Sequence, residues 1–111
     1  MKEEITVSEL RSIPPEKVML IDVRDESAFA LGHIDNAVNI APDAVPGMEF
    51  PTDKDIVVCC RSGIISEEIA EGLRERGYSA ANLTGGYVRW LGEKIAMQSS
   101  SDRAAEIERS I

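Results

Sequence analysis

Residues 55–66, DIVVCCRSGIIS, place a thiol where a thiolate would be stabilised. Ile56, Val57 and Val58 have strand character and deliver Cys60 into a short loop, Arg61-Ser62-Gly63-Ile64-Ile65. A helical pattern then begins near Ser66. A sulfur at the C-terminal end of a strand, facing the amides that open a helix, meets unpaired N–H groups and the positive end of the helix dipole. Such a position lowers a cysteine pKa below its free value of about 8.5. The thiolate is the nucleophile, so the chemistry implied is attack by sulfur. Cys59 is the immediate neighbour, and a disulfide between adjacent residues is strained and closes no useful loop. With His33 the only histidine and no further cysteine pair, the pattern argues against a zinc site. The plain alternative is two small hydrophobes filling a strand.

A reactive strand-to-helix loop needs a sheet to hold it. Val18-Met19-Leu20-Ile21, leading into Asp22-Val23-Arg24, is a continuous apolar run that suits a strand buried on both faces. Ala37 to Ile40 and Ala80 to Leu83 read as further short strands. Between them lie Ser8–Arg11, a capped helical turn stopped by Pro14-Pro15, and Ser27–Leu31, a short helix ended by Gly32. Pro42, Pro46, Gly47 and Pro51 mark a connecting stretch. Ser66-Glu67-Glu68 has the form of an N-cap with acids in the first turn; Ile69, Ala70 and Leu73 make an apolar stripe, and Arg74, Arg76 and Gly77 close the helix. Gly85-Gly86 opens a last helix carrying Tyr87, Trp90 and Leu91. Alternating strands and helices at this density predict an α/β sandwich with a mostly parallel sheet, whose ligand sites lie beyond the C-terminal strand ends. Cys60 falls there.

Size and charge narrow the function. A chain of 111 residues bounds one compact domain, expected over residues 1–97, with residues 98–111 a polar tail or surface helix. Twelve basic residues against twenty acidic ones give a net charge of −8, which argues against a nucleic-acid partner. It also means that an anionic substrate must be drawn in by local potential against an unfavourable global field. The apolar runs are too short for a membrane span, and MKEEITVSEL lacks the apolar core of a signal peptide, so a cytoplasmic protein is expected. Oligomeric state has no signature in the sequence.

Three separated segments, taken together, resemble the rhodanese family of sulfurtransferases. They are Leu20-Ile21-Asp22-Val23-Arg24 with Phe29, Gly32-His33-Ile34 and Ala37-Val38-Asn39-Ile40; Ile56-Val57-Val58-Cys59-Cys60-Arg61-Ser62-Gly63; and Leu83-Thr84-Gly85-Gly86-Tyr87 to Trp90. The resemblance covers about residues 5–92, in order and in register. It implies a three-layer α/β/α sandwich around a mostly parallel five-stranded sheet. It implies that catalytic Cys60 takes the outer sulfur of a donor, thiosulfate or a persulfide, and passes it as a persulfide to cyanide or a thiol, including a protein acceptor. Arg61, Ser62, Gly63, Ile64, Ile65 and Ser66 would bind the substrate, with no metal and no cofactor. Cys59, one residue earlier, would face the other side of the strand and pack in the core.

The chain departs from the family pattern at two places. Ile65 stands where the family commonly has a basic or hydroxyl residue, and Ile64 extends the apolar rim, leaving Arg61 as the only charge of the loop. Weaker thiosulfate binding is expected, with a protein or low-molecular-weight persulfide as the donor. Ala28 replaces an acidic residue at a position expected to be structural. His33 reads as a hydrogen-bonding residue, Asp22 with Arg24 as a pair fixing the loop, and Tyr87 and Trp90 as core packing.

Rival functions are a sulfur-relay or protein-binding module that does not turn over, a redox switch between Cys59 and Cys60, and a cysteine-loop phosphatase or arsenate reductase. Phosphate chemistry needs an arginine six residues after the cysteine to grip the phosphoryl oxygens. That count from Cys60 reaches Ser66, and from Cys59 it reaches Ile65. A loop one residue shorter also suits a sulfur atom better than a phosphoryl group.

Overall fold

A computed structural model describes the backbone of residues 1–110 and the side-chain surroundings of residues 1–100. The elements are β1 (Glu4–Ile5), α1 (Val7–Arg11), β2 (Val18–Asp22), α2 (Glu26–Leu31), β3 (Val38–Asn39), β4 (Asp55–Cys59), α3 (Ile65–Glu75), β5 (Ala80–Leu83) and α4 (Gly86–Ser110). The five strands lie in the order β1-β5-β4-β2-β3, and every pairing is parallel. β4, which leads to Cys60, is therefore central, with β2 and β5 on either side.

Alternation along β4 sorts its side chains between two cores. Ile56, Val58 and Cys60 join Ile21, Val23, Phe50, Ala70 and Leu73 on the side covered by α3. Val57 and Cys59 join Leu20, Leu83, Val7, Leu10 and Trp90 on the side covered by α1 and α4. Both faces being covered, β4 reads as an unbroken apolar run rather than an alternating one. The adjacent cysteines thus look into opposite layers of the sandwich.

The structure supplies the one strand that the sequence left unassigned and corrects one expectation. The fifth strand is β1, whose two residues pair with Asn82 and Leu83; a strand this short leaves no periodicity to read. Beside it, Thr6 and Glu9 cap α1 reciprocally, each side chain accepting from the other's backbone amide. The correction concerns Ser66, which is not the N-cap of α3. The helix begins one residue earlier, at Ile65, and Ile64 in the cap position supplies no side-chain acceptor. The Ser66 amide donates instead to Cys60 Sγ at 3.5 Å, so the sulfur takes the place of a capping oxygen.

From residue 98 the backbone of α4 continues as helix to Ser110. Gln98, Ser99 and Ser100 are exposed; the rest of the expected tail or surface helix turns on side chains that, like Ile111, lie outside the described residues.

Candidate active site

Cys60 is the first residue after β4, and its side chain is 6 % exposed. The chain turns back at Gly63, whose φ of +92° is a left-handed conformation that glycine adopts without steric cost. A Cβ there would also come within 3.1 Å of the Leu83 carbonyl. This turn aims the Gly63 amide at Cys60 Sγ, 3.2 Å away. Ser66, fully buried in the first turn of α3, adds its hydroxyl at 3.2 Å to its amide. Burial pushes the Cys60 thiol up, but the Ser66 hydroxyl and the amides of Ser66, Gly63 and Ser62 outweigh it and lower the pKa below the usual thiol range.

The carbonyl side of the same loop is fixed by α4. The Tyr87 amide donates to the Cys60 carbonyl at 2.9 Å, and the Val88 amide to the Arg61 carbonyl at 3.1 Å. Gly86, with φ +61°, makes this docking feasible, since a Cβ at that position would lie 2.6 Å from both carbonyl oxygens. With carbonyls turned outward and amides inward, the loop presents a concave ring of donors to the sulfur.

The structure brings Cys60, Ser62, Gly63 and Ser66 together around the sulfur, the middle two through their amides only. The Arg61 side chain is exposed and makes no hydrogen bond or ion pair with the described residues. Ile64 and Ile65 are 74 % and 58 % exposed, so they form the rim and contribute nothing polar. His33 stacks on Phe29 at 3.8 Å and bonds the Phe29 carbonyl through Nδ1, which ties it to α2.

Behind the loop, buried Asp22 holds the Arg24 guanidinium through both carboxylate oxygens, the shortest contact being 2.8 Å. Arg24 also donates to the Gly32 carbonyl and lies 4.0 Å over the Tyr87 ring, while Tyr87 stacks on Trp90. Asp22 is paired in register with Cys59. Burial and this carboxylate both push the Cys59 thiol up, far beyond any physiological pH. The two neighbouring thiols are thus shifted in opposite directions. Among the described residues no three His, Cys, Asp or Glu side chains converge as metal ligands would.

Asn82 and Glu4 escaped the sequence reading. Asn82, 3 % exposed on β5, receives the Ser66 hydroxyl at 2.5 Å and donates to the Gly63 carbonyl at 2.9 Å. It also donates to both carboxylate oxygens of Glu4 on β1. The only available signal was one amide side chain inside the apolar strand Ala80-Ala81-Asn82-Leu83.

Ser66→Ala removes the one side-chain donor to the sulfur among the described residues while leaving the amides in place. The pH profile of Cys60 alkylation is expected to move upward, and the thiolate share below its midpoint to fall about fivefold, the worth of one hydrogen bond. An unmoved profile would mean that the amides alone hold the charge.

The rhodanese-like domain model matches residues 6–93. The putative sulfurtransferase YtwF of Bacillus subtilis (strain 168) is 40 % identical over 80 residues, covering 70 % of this chain and 78 % of the relative. The thiosulfate sulfurtransferase GlpE of Shewanella oneidensis is 32 % identical over 92 residues, covering 79 % and 91 %. Among solved structures, the human single-domain sulfurtransferase TSTD1 superimposes with a TM-score of 0.76 at 26 % identity, over 83 % of this chain and 97 % of that one.

Proposed function

This chain belongs to the rhodanese-like domain family and is a rhodanese-type sulfurtransferase, and on that premise we propose that Cys60 carries the sulfur as a persulfide. The observation that supports this most is the set of donors converging on Cys60 Sγ from Gly63 and Ser66. The Cys60 thiolate attacks the outer sulfur of the donor; the S–S bond of the donor breaks, and its electron pair leaves with sulfite from thiosulfate, or with a thiolate from an organic persulfide. The negative charge now sits on the outer sulfur of the Cys60 persulfide, within the ring of loop amides. Cyanide or an acceptor thiolate then attacks that outer sulfur, and Cys60 departs as a thiolate. The step as proposed uses no separate base, because the donors around Cys60 Sγ favour the thiolate and the leaving group is an anion.

The rim favours an uncharged donor body. The GlpE relative is named for thiosulfate, but here Arg61 is the one cation of the loop, Ile64 and Ile65 are apolar, and the net charge is −8. A dianion gains little from such a mouth, whereas a protein or low-molecular-weight persulfide can bury surface on the two isoleucines. The same exposed pair supports a second reading, a relay module that hands sulfur from one protein to another. Residues 1–97 would then form the catalytic domain. A cytoplasmic setting suits both readings, since Cys60 must be a free thiol to accept sulfur.

Incubation with thiosulfate or with an organic persulfide, followed by intact mass and then by cyanide with a thiocyanate assay, tests the proposal. One added sulfur on Cys60 is expected from both donors, with the organic persulfide loading at least about tenfold faster at equal concentration. Loading without turnover would favour the relay reading. Loading by neither donor would overturn the persulfide mechanism.

A further inference from the structure

The Ser66 hydroxyl has two acceptors and one hydrogen. It lies 2.5 Å from Asn82 Oδ1 and 3.2 Å from Cys60 Sγ. The orientation of the Asn82 amide is fixed by its other neighbours. Asn82 Nδ2 faces the Gly63 carbonyl at 2.9 Å and the Glu4 carboxylate at 3.0 and 3.2 Å, all of them acceptors, so the nitrogen must point toward them and the oxygen toward Ser66. Glu4 is in turn steadied by the Thr84 hydroxyl at 2.8 Å. Asn82 Oδ1 carries no hydrogen, and Ser66 must donate if that contact is to be satisfied.

We propose that Glu4 and Asn82 form a latch that competes with Cys60 for the Ser66 hydrogen. When the sulfur is a neutral thiol, its S–H donates to Ser66 Oγ and Ser66 donates to Asn82, so each group in the chain is satisfied. When Sγ is a thiolate, the hydroxyl turns to the sulfur and Asn82 Oδ1 is left buried without its donor. Because the Glu4 carboxylate polarises the Asn82 amide, it strengthens Oδ1 as an acceptor and raises the cost of that turn. Asn82 and Glu4 are thus positioning residues, acting on the sulfur only through Ser66.

The latch rests on the reading of Cys60 as a sulfur carrier, and it gives the carrier a preference between its two states. The free enzyme holds its charge on Sγ, next to Ser66. The persulfide holds it on the outer sulfur, and the hydroxyl returns to Asn82. Ser66 therefore favours the empty thiolate, which assists departure of Cys60 when sulfur is handed on. Asn82 with Glu4 opposes that preference and favours the loaded state. Other charges near the loop, Arg61, Glu67 and Glu68 of the α3 first turn, and Arg89 beside Gly85, are exposed to solvent.

The test is the pH profile of Cys60 alkylation, resolved from Cys59 by peptide mass, in Glu4→Ala, Asn82→Ala, Ser66→Ala and the two double variants that include Ser66→Ala. Asn82→Ala is expected to move the profile to lower pH and raise the thiolate share below its midpoint about fivefold, one hydrogen bond's worth of competition removed. Glu4→Ala, an exposed residue whose loss leaves the core intact, should do the same to a smaller extent, about twofold. Neither change should move the profile when Ser66 is alanine. A profile that stays put or moves to higher pH in Glu4→Ala overturns the latch. So does an equal downward movement in the Ser66→Ala background, which would show a through-space effect of the Glu4 charge. Loading of the wild-type chain by an organic persulfide, measured on the same samples, tests the carrier reading separately. A Ser66-dependent profile in a chain that does not load supports the latch and overturns only the carrier.

Discussion

Cys60→Ser is expected to lose sulfur loading and thiocyanate formation by at least about a thousandfold, since a serine hydroxyl at neutral pH is neither ionised nor able to hold a transferable sulfur. The ring of amides would remain, but with nothing to charge. Cys59→Ala is expected to keep activity within about threefold, because Cys59 lies wholly inside the opposite layer, under α1 and α4. Its loss should register in stability as a small cavity of about 1 kcal/mol. Intact mass after exposure to donor, combined with the cyanide assay, reads both variants in one experiment. Activity that survives in Cys60→Ser but not in Cys59→Ala would place the nucleophile one residue earlier and reverse the roles of the two layers. The contrast is physical: the same side chain at neighbouring positions is acidified on one face by four donated hydrogen bonds and silenced on the other by burial beside Asp22.

Asp22→Ala should bring the largest loss of stability, about 3 kcal/mol, because it strands the Arg24 guanidinium behind the loop. The Asp22 side chain is fully buried and that of Arg24 is only 10 % exposed. The Gly32 carbonyl and the Tyr87 ring remain as partners, which sets the loss at the low end for a broken buried pair. For a domain of this size the midpoint of thermal unfolding should fall by about 10–20 °C. Joint replacement, Asp22→Leu with Arg24→Met, should recover most of the stability, since the desolvated charges leave together. Calorimetry on the single and double variants decides the matter. A single variant that melts within a few degrees of wild type, or a double variant no better than the single, would show that the pair is not what stabilises this part of the fold.

The parts of the fold set by long apolar runs and by punctuation were legible. Val18–Ile21, Ile56–Val58 and the stripe of Ile69, Ala70 and Leu73 announce β2, β4 and α3, and the glycine pair announces α4. The place of the cysteine was legible for a different reason, as a thiol set between a strand and a helix. What failed to show was either too short or held from a distance. β1 is two residues long and exists only because β5 offers it an edge. Ser66 carries a residue type that usually caps helices, yet the neighbouring sulfur accepts the amide and draws the hydroxyl inward. Glu4 and Asn82 lie 78 positions apart and converge through sheet order alone, which a linear pattern cannot carry. The Asp22–Arg24 pair, only two positions apart, was open to reading as a local clamp, and its geometry agrees.

Docking of the loop carbonyls on the amides of Tyr87 and Val88 bears on how this site could change. Loop and glycine pair form one unit, although 23 positions separate Arg61 from Gly85. A longer loop, of the sort a phosphoryl group would need, would carry the Cys60 and Arg61 carbonyls off the start of α4 and leave two helix amides bare. It would also remove the reason for Gly86, whose tolerance of a side chain depends on where those carbonyls sit. Redesign toward a larger substrate therefore has to alter both segments at once, whereas variation at Ile64 and Ile65 is uncoupled from either. On the proposed function, donor choice would drift at the rim while the ring of amides around Cys60 stays as it is.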